Sequence, residues 1–347
     1  MPEGLVYVGT YTRQGHSDGI QVFNCDPSSG GLTWRSRVAA RDASFLCFDN
    51  SRRVLFATSE GLTADQAEAV SFAINPQDGT LTTLSQQPTR GGEPCHLCVD
   101  PSNQFLLIAN HENGTVIVFP FDASGRLAQP TDFVQHPGAA PHAHHVTFDP
   151  NQQRVLVTDK GIDTVMIYRL DVHAGKLRPN EPPGGAIHRG AQPRHLAFSR
   201  DGRFAYVNGE ADMTLSACSY DSSTGALQEF QVVSTLPEGT PPNADFSTAE
   251  VAVGASGRHV YVSNRGHNSI VVFAIDPVTG RLELRGTVPT GGKTPRHFAI
   301  HPNGKWLYAA NQDSDTIVQF EINPDTGGLQ STGNTTEVGA PVCILFG

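Results

Sequence analysis

The 347-residue chain predicts an all-β fold: a single domain, 1–347, built as a seven-bladed β-propeller with four-stranded antiparallel blades. Three observations predict it. One unit recurs along the chain, its anchor position returning every 46 to 55 residues, a period that marks a repeat architecture. Inside each unit short runs alternate apolar and polar residues, are rich in β-branched and aromatic types, and are separated by Asp, Asn or Gly turns, while helix signals are nearly absent. The seventh copy is split between the two ends of the chain, which is what closing a ring requires.

Taken in order, the chain opens with LVYVGTYT, which matches a second strand of the unit. Complete copies follow: FLCFDNSRRVLFATSE from Phe45 to Glu60, CHLCVDPSNQFLLIANH from Cys95 to His111, and HHVTFDPNQQRVLVTDK from His144 to Lys160. PRHLAFSRDGRFAYVNGE runs from Pro193 to Glu210, EVAVGASGRHVYVSNR from Glu250 to Arg265, and PRHFAIHPNGKWLYAANQ from Pro295 to Gln312. The closing APVCILFG supplies the missing first strand, so the terminal strand completes the first blade and no sheet edge is left unpaired. The Gly pairs at Gly91, Gly184 and Gly291 precede a first strand instead of following a second, and no Trp-Asp dipeptide recurs, which separates the pattern from kelch and WD40 repeats.

In a propeller the first strand of each blade lines the channel, and its start lies at the same mouth as the end of the antiparallel second strand. Two repeat positions therefore predict two rings around one opening. The first is Phe45, His96, His145, His195, Glu250, His297 and Cys343; the second is Tyr11, Glu60, His111, Lys160, Glu210, Arg265 and Gln312. Arg194, Arg296 and His144 stand just before the first ring, with His142 close by. Each of these histidines could be a structural hydrogen-bonding residue of a wet channel. The second ring argues for a site, because scaffolding alone would repeat one residue type, whereas these positions vary through Glu, His, Lys, Arg and Gln.

Lys plus Arg total 24 against 34 Asp plus Glu, a net charge of -10. That excludes a binder of the nucleic-acid backbone and leaves small molecules or proteins as partners, with a local basic site needed for any anionic substrate. No apolar run is long enough for a membrane span and no signal-peptide pattern is present, so the expected location is the cytoplasm. Six cysteines in a chain this long read as reduced core residues. HAHH at residues 142–145 has imidazoles suited to Zn, Cu or Ni, but strand alternation puts His142 and His144 on the face opposite His145. CHLC, with Cys95 and Cys98, lacks a second pair. No phosphate-binding loop, dinucleotide fingerprint or GxSxG motif is present.

The opening VYVGTYT followed by GIQVF, the repeated PRHLAF with DGRFAYVNGE, VSNRGHNSI and PRHFAIHPNGKWLYAANQ give the chain a resemblance, essentially end to end, to the seven-bladed propeller lactonase family. That family contains propeller-type 6-phosphogluconolactonases and 3-carboxy-cis,cis-muconate lactonizing enzymes. The resemblance implies a site on His145, Arg194, Glu210 and Arg265. It implies no cofactor and leaves a metal ion in the channel open.

Lactone hydrolysis needs a nucleophilic water, a stabiliser for the oxyanion and a proton for the departing ring oxygen. Neutral His145 or His195 is the expected general base, and Arg194 the expected oxyanion partner. Arg265 or Arg296 would hold an anionic end of the substrate, with Glu210 orienting a histidine or relaying the proton. His96, His111, Lys160, Glu250 and His297 complete the predicted lining, and a phosphorylated substrate would add Lys160 and Lys293. The expected activity is hydrolysis of a sugar lactone, foremost 6-phosphogluconolactone, by a monomer. A lactonizing cycloisomerase would use the same residues, and a non-catalytic binding scaffold would instead carry a broad partner patch.

Overall fold

The computed structural model describes residues 4–241 and 243–347. It contains seven four-stranded antiparallel sheets, with one short 3-10 turn, Gln312–Ser314, as the sole helical element among the described residues. The innermost strands, in chain order, are Ala43–Phe48, Pro94–Val99, Ala143–Phe148, Pro193–Phe198, Ser247–Val253, Pro295–Ile300 and Pro341–Phe346. The last of these pairs with Leu5–Thr10, so the split blade predicted from the two ends forms and the ring closes.

Second strands are almost wholly buried, as in VLFATS, FLLIAN and FAYVNG, because each is sandwiched between neighbouring blades; third strands are less completely buried, and outermost strands alternate exposed and half-buried positions. Burying these β-branched and aromatic side chains at roughly 1.5–3 kcal/mol each supplies the main stabilisation. Tyrosines stitch one blade to the next: the hydroxyls of Tyr7, Tyr206, Tyr261 and Tyr308 donate to the carbonyls of Gly79, Gly280, Gly327 and Gly30 at 2.6–3.1 Å. The turns joining first to second strands are pinned by acceptors the sequence supplies. Asp49 and Asp149, for example, accept two backbone N–H groups each through one carboxylate oxygen.

One feature departs from simple alternation. Each inner-strand pairing shifts register by one residue, between Ala43 and Leu46, Pro94 and His96, Ala143 and His145, Pro193 and Leu196, Thr248 and Val251, Pro295 and His297, and opposite Gly9 and Thr10. These β-bulges leave an inner N–H without its ladder partner. A side chain of the second strand takes it over: Phe45 N–H donates to Thr58, His145 to Thr158, His195 to Asn208 and Glu250 to Ser263, at 2.8–3.1 Å. The bulge also turns the residue before the anchor towards the channel mouth.

Candidate active site

At the mouth where the innermost strands begin lies an open polar pocket of about 180 Å³. Three repeat positions line it. From the ends of the second strands come Glu60, His111, Lys160, Glu210 and Arg265; from the bulges come Cys95, His144, Arg194 and Arg296; from the approach to one bulge comes Glu93.

Glu210 is the hub. Its Oε1 lies 2.8 Å from Lys160 Nζ and 3.2 Å from Arg265, and its Oε2 lies 3.0 Å from Arg194 Nε. Burial opposes ionisation of Glu210, but Lys160, Arg265 and Arg194 outweigh it and hold the carboxyl well below the usual range. Arg194 is buried, its pKa pushed down to about 10 by burial and by Arg265. On the opposite wall Glu60 accepts from Tyr11 at 2.7 Å and Arg13 at 2.9 Å, with Arg296 3.7 Å away. Burial works against the charge of Arg296, yet Tyr11 and Glu60 keep it firmly protonated.

Two histidines face this charge. His144 is buried, and burial together with Arg194, His195 and Lys160 depresses its pKa far below the ordinary imidazole value, so it is neutral at neutral pH. His111 Nδ1 sits 2.7 Å from Glu93 Oε2, and the His142 ring stacks on it at 4.8 Å. Several buried polar atoms here lack a hydrogen-bond partner: Glu60 Oε2, His144 Nδ1, Arg194 Nε, Glu210 Oε2 and Arg265 Nε. Arg194 Nε is close to Glu210 Oε2, but its N–H does not point along the contact. Such a cluster of unmet donors and acceptors is what a polar ligand would satisfy.

The structure brings together six predicted site residues, Arg194, Glu210, Arg265, Arg296, His111 and Lys160. It does not bring His96, His145, His195, Glu250 or His297 to the lining. They pack one residue further along the inner strands, around the channel axis beneath the pocket, with Phe45 at 4.0 Å from the His96 ring and His145 at 5.0 Å from His195. His145 and His195, expected as the general base, thus lie outside the pocket lining, where the bulge places His144 instead. The same bulge corrects the opposed faces expected for His144 and His145, since both rings lie about 5 Å from His195. Gln312 pairs with Asp313 and Lys293 is exposed outside the lining.

Sequence reasoning missed Glu93 and Cys95. Glu93 stands three residues before an anchor with φ of 51°, as do Asp42, Gln192, Thr294 and Ala340 with φ of 40–55°, so the position is a third member of the repeat, marked by backbone conformation and not by residue type. Cys95 carries a thiol whose pKa burial raises, donating to the His144 carbonyl at 3.2 Å. All six cysteines are free, and no group of three or more His, Cys, Asp or Glu among the described residues is arranged to hold a metal ion. Among the described residues no helix is long and apolar enough to cross a membrane.

The chain is similar to a 6-phosphogluconolactonase of Bacillus subtilis, with 35% identity over 298 residues, 84% of this chain and 83% of the relative. A second relative, a 6-phosphogluconolactonase of Formosa agariphila, shares 27% over 301 residues, 83% of this chain and 84% of the other. The solved structure of a periplasmic gluconolactonase from Pseudomonas aeruginosa superposes with a TM-score of 0.92 at 30% identity, covering 99% of this chain and 98% of that one. The family described as "Lactonase, 7-bladed beta-propeller" matches residues 5–346. With the fold, the mouth pocket and these likenesses in agreement, the chain belongs to the seven-bladed β-propeller lactonase family and is a lactone hydrolase.

Proposed function

We propose that the substrate is 6-phosphogluconolactone, hydrolysed to 6-phosphogluconate at the channel mouth. The observation that carries this is the charge of the pocket. Arg194, Arg265, Arg296 and Lys160 face Glu60, Glu93 and Glu210, four cations against three anions before any histidine is counted, which leaves a positive surplus for an anionic ligand on a chain of net charge -10. The surplus lies beside a second cleft that shares His111 and Lys160 with the pocket and continues past His142 and Gly161. This cleft takes the phosphate, and the lactone carbonyl lies over Arg194 and Arg265.

His144 removes the proton from the attacking water and returns it to the ring oxygen as the tetrahedral intermediate collapses. Its basicity is low in the free site because of burial and the cations around it; a bound phosphate dianion offsets those cations and brings the imidazole towards its working range. Arg194 and Arg265 stabilise the oxyanion, and Glu210 holds both guanidiniums in place. No cofactor enters this scheme, since protein cations stand where a Lewis acid would act. Each chain completes its site from its own strands, which supports a monomer, and six free thiols support a cytoplasmic setting in sugar-phosphate metabolism.

The test follows acid release from 6-phosphogluconolactone and a non-phosphorylated aldonolactone, and diene loss from 3-carboxy-cis,cis-muconate, with His144→Ala and Arg194→Ala alongside. Turnover of the phosphorylated lactone above spontaneous hydrolysis, lost in both variants, supports the proposal. Equal turnover of the plain lactone removes the phosphate from it, diene loss alone makes the protein a cycloisomerase, and silence on all three favours a binding scaffold.

A further inference from the structure

We infer that Glu250 and His195, beneath the pocket, form a positioning relay that aims the Arg194 guanidinium at the substrate. The hydrogen bonds fix the direction of the relay. Arg194 Nη1 donates to the Ala249 carbonyl at 2.6 Å and lies 3.1 Å from His195 Nε2. A guanidinium has no acceptor, so His195 Nε2 must offer its lone pair. The proton of the neutral ring then sits on Nδ1, which lies 3.1 and 3.2 Å from the two oxygens of Glu250. Burial and the neighbouring Arg194 and His145 disfavour a protonated His195, so one tautomer serves both contacts.

Glu250 is itself held as an acceptor. Its Oε1 takes the Val251 N–H at 3.0 Å. From the next blade, His297 Nδ1 accepts from the Ile344 N–H at 3.3 Å, which leaves the His297 proton on Nε2, 3.4 Å from Glu250 Oε2. One imidazole and one backbone N–H therefore donate to a single carboxylate, with the His297 ring close beside it. The outcome is a chain from Glu250 through His195 to Arg194, crossing from the channel into the pocket floor, and it accounts for an acidic residue at a ring position where four other blades carry His, one Phe and one Cys. Which nitrogen of a histidine carries the proton is set by the bond made by the other nitrogen, and a carboxylate behind a histidine is a recurrent way of setting it.

The inference rests on the hydrolase reading for its kinetic arm only. Nitrogen-15 spectra of histidine-labelled protein, with His195 assigned through His195→Asn, report the tautomer without any turnover. The expected result is a proton on Nδ1 and a bare Nε2; a proton on Nε2 overturns the relay even in a fully active enzyme. In the kinetic arm Glu250→Gln is expected to lower kcat about ten- to a hundredfold while KM stays within about twofold, and Glu250→Asp to recover most of the loss. Unchanged kcat in a folded Glu250→Gln protein overturns the relay as well. If the Gln variant fails to fold, the wild-type tautomer and the Asp variant still decide, and loss of turnover in every form of the protein counts against the hydrolase reading, with the tautomer judged on its own.

Discussion

Replacing Glu210 by Gln keeps the size of the hub and removes its charge. Three cations lose their counter-ion: Lys160 at 2.8 Å, Arg194 at 3.0 Å and Arg265 at 3.2 Å. At such separations and an effective dielectric of about 20, each attraction is on the order of 5 kcal/mol before desolvation is set against it. Removing one partner of a buried ion pair costs about 3–5 kcal/mol. Glu210 retains 17% of its side-chain exposure at an open mouth, so the low end applies, about 3 kcal/mol, or a fall in Tm of about 4 °C for a chain this long. The uncompensated cations then bind anions better. Phosphate at a hundred times its Kd raises stability by about 2.7 kcal/mol, and the variant should reach that response at lower phosphate than the wild type. Thermal unfolding across a phosphate series measures both effects, and kcat should fall about a hundredfold as Arg194 and Arg265 lose their anchor. A Tm within a degree of wild type, or identical phosphate responses, would refute the assignment of Glu210 as the electrostatic centre of the pocket.

Three further outcomes are expected. His144→Asn should lower kcat by about 10² to 10⁴, whereas His145→Asn, one residue on and beneath the pocket, should lower it far less; steady-state kinetics of the pair separates the two registers. Because burial and neighbouring cations lower the pKa of His144, it stays the neutral base in acid, so kcat/KM for a non-phosphorylated lactone, which has no phosphate to titrate near pH 6, should remain flat well below pH 6.5 and decline only as the ring finally protonates. His188 is held between Glu229 at 2.8 Å and Asp212 at 2.6 Å, and although burial opposes protonation, these carboxylates raise its pKa. A raised value means stability fully present below about pH 6.5 and lost as pH rises through the folded pKa, so His188→Gln should lower Tm at pH 5.5 more than at pH 9. Arg154, fully buried, donates to Asn180 and to the carbonyls of Ser222 and Ser223 across a blade boundary; Arg154→Ala should cost about 3–5 kcal/mol in chemical denaturation.

The ring was legible because the same strand, turn and strand sentence is written six times and its missing half stands at the other end of the chain. Which residues approach the mouth was also legible, since Arg194, Glu210, Arg265, Arg296, His111 and Lys160 share repeat positions. Depth was not. Period-2 reasoning places Arg194 and His195, or His144 and His145, on opposite faces, and only a bulge lets both members of such a pair converge on the channel. Two adjacent polar residues in an otherwise apolar inner strand were the sign of it, together with Thr58, Thr158, Asn208 and Ser263 thirteen residues after their anchors, ready to receive the freed N–H. Glu93 escaped because it sits between a Gly pair and a Pro, where a loop reading is the natural one. Contacts such as Phe45 with His195 depend on which blades face each other across the axis, and no local pattern states that.

The pairing that closes the ring also decides how the protein answers to force. Val6 lies opposite Phe346, Tyr7 opposite Leu345 and Val8 opposite Ile344, so the two strand ends leave the sheet side by side, at the rim away from the pocket. Tension applied between them loads the hydrogen bonds one after another, as a zipper does, instead of all together in shear. A tether or surface attachment at that rim would leave the mouth facing solution, while a pull on both ends would peel the first blade before any other and open the ring at its only seam not crossed by the chain itself.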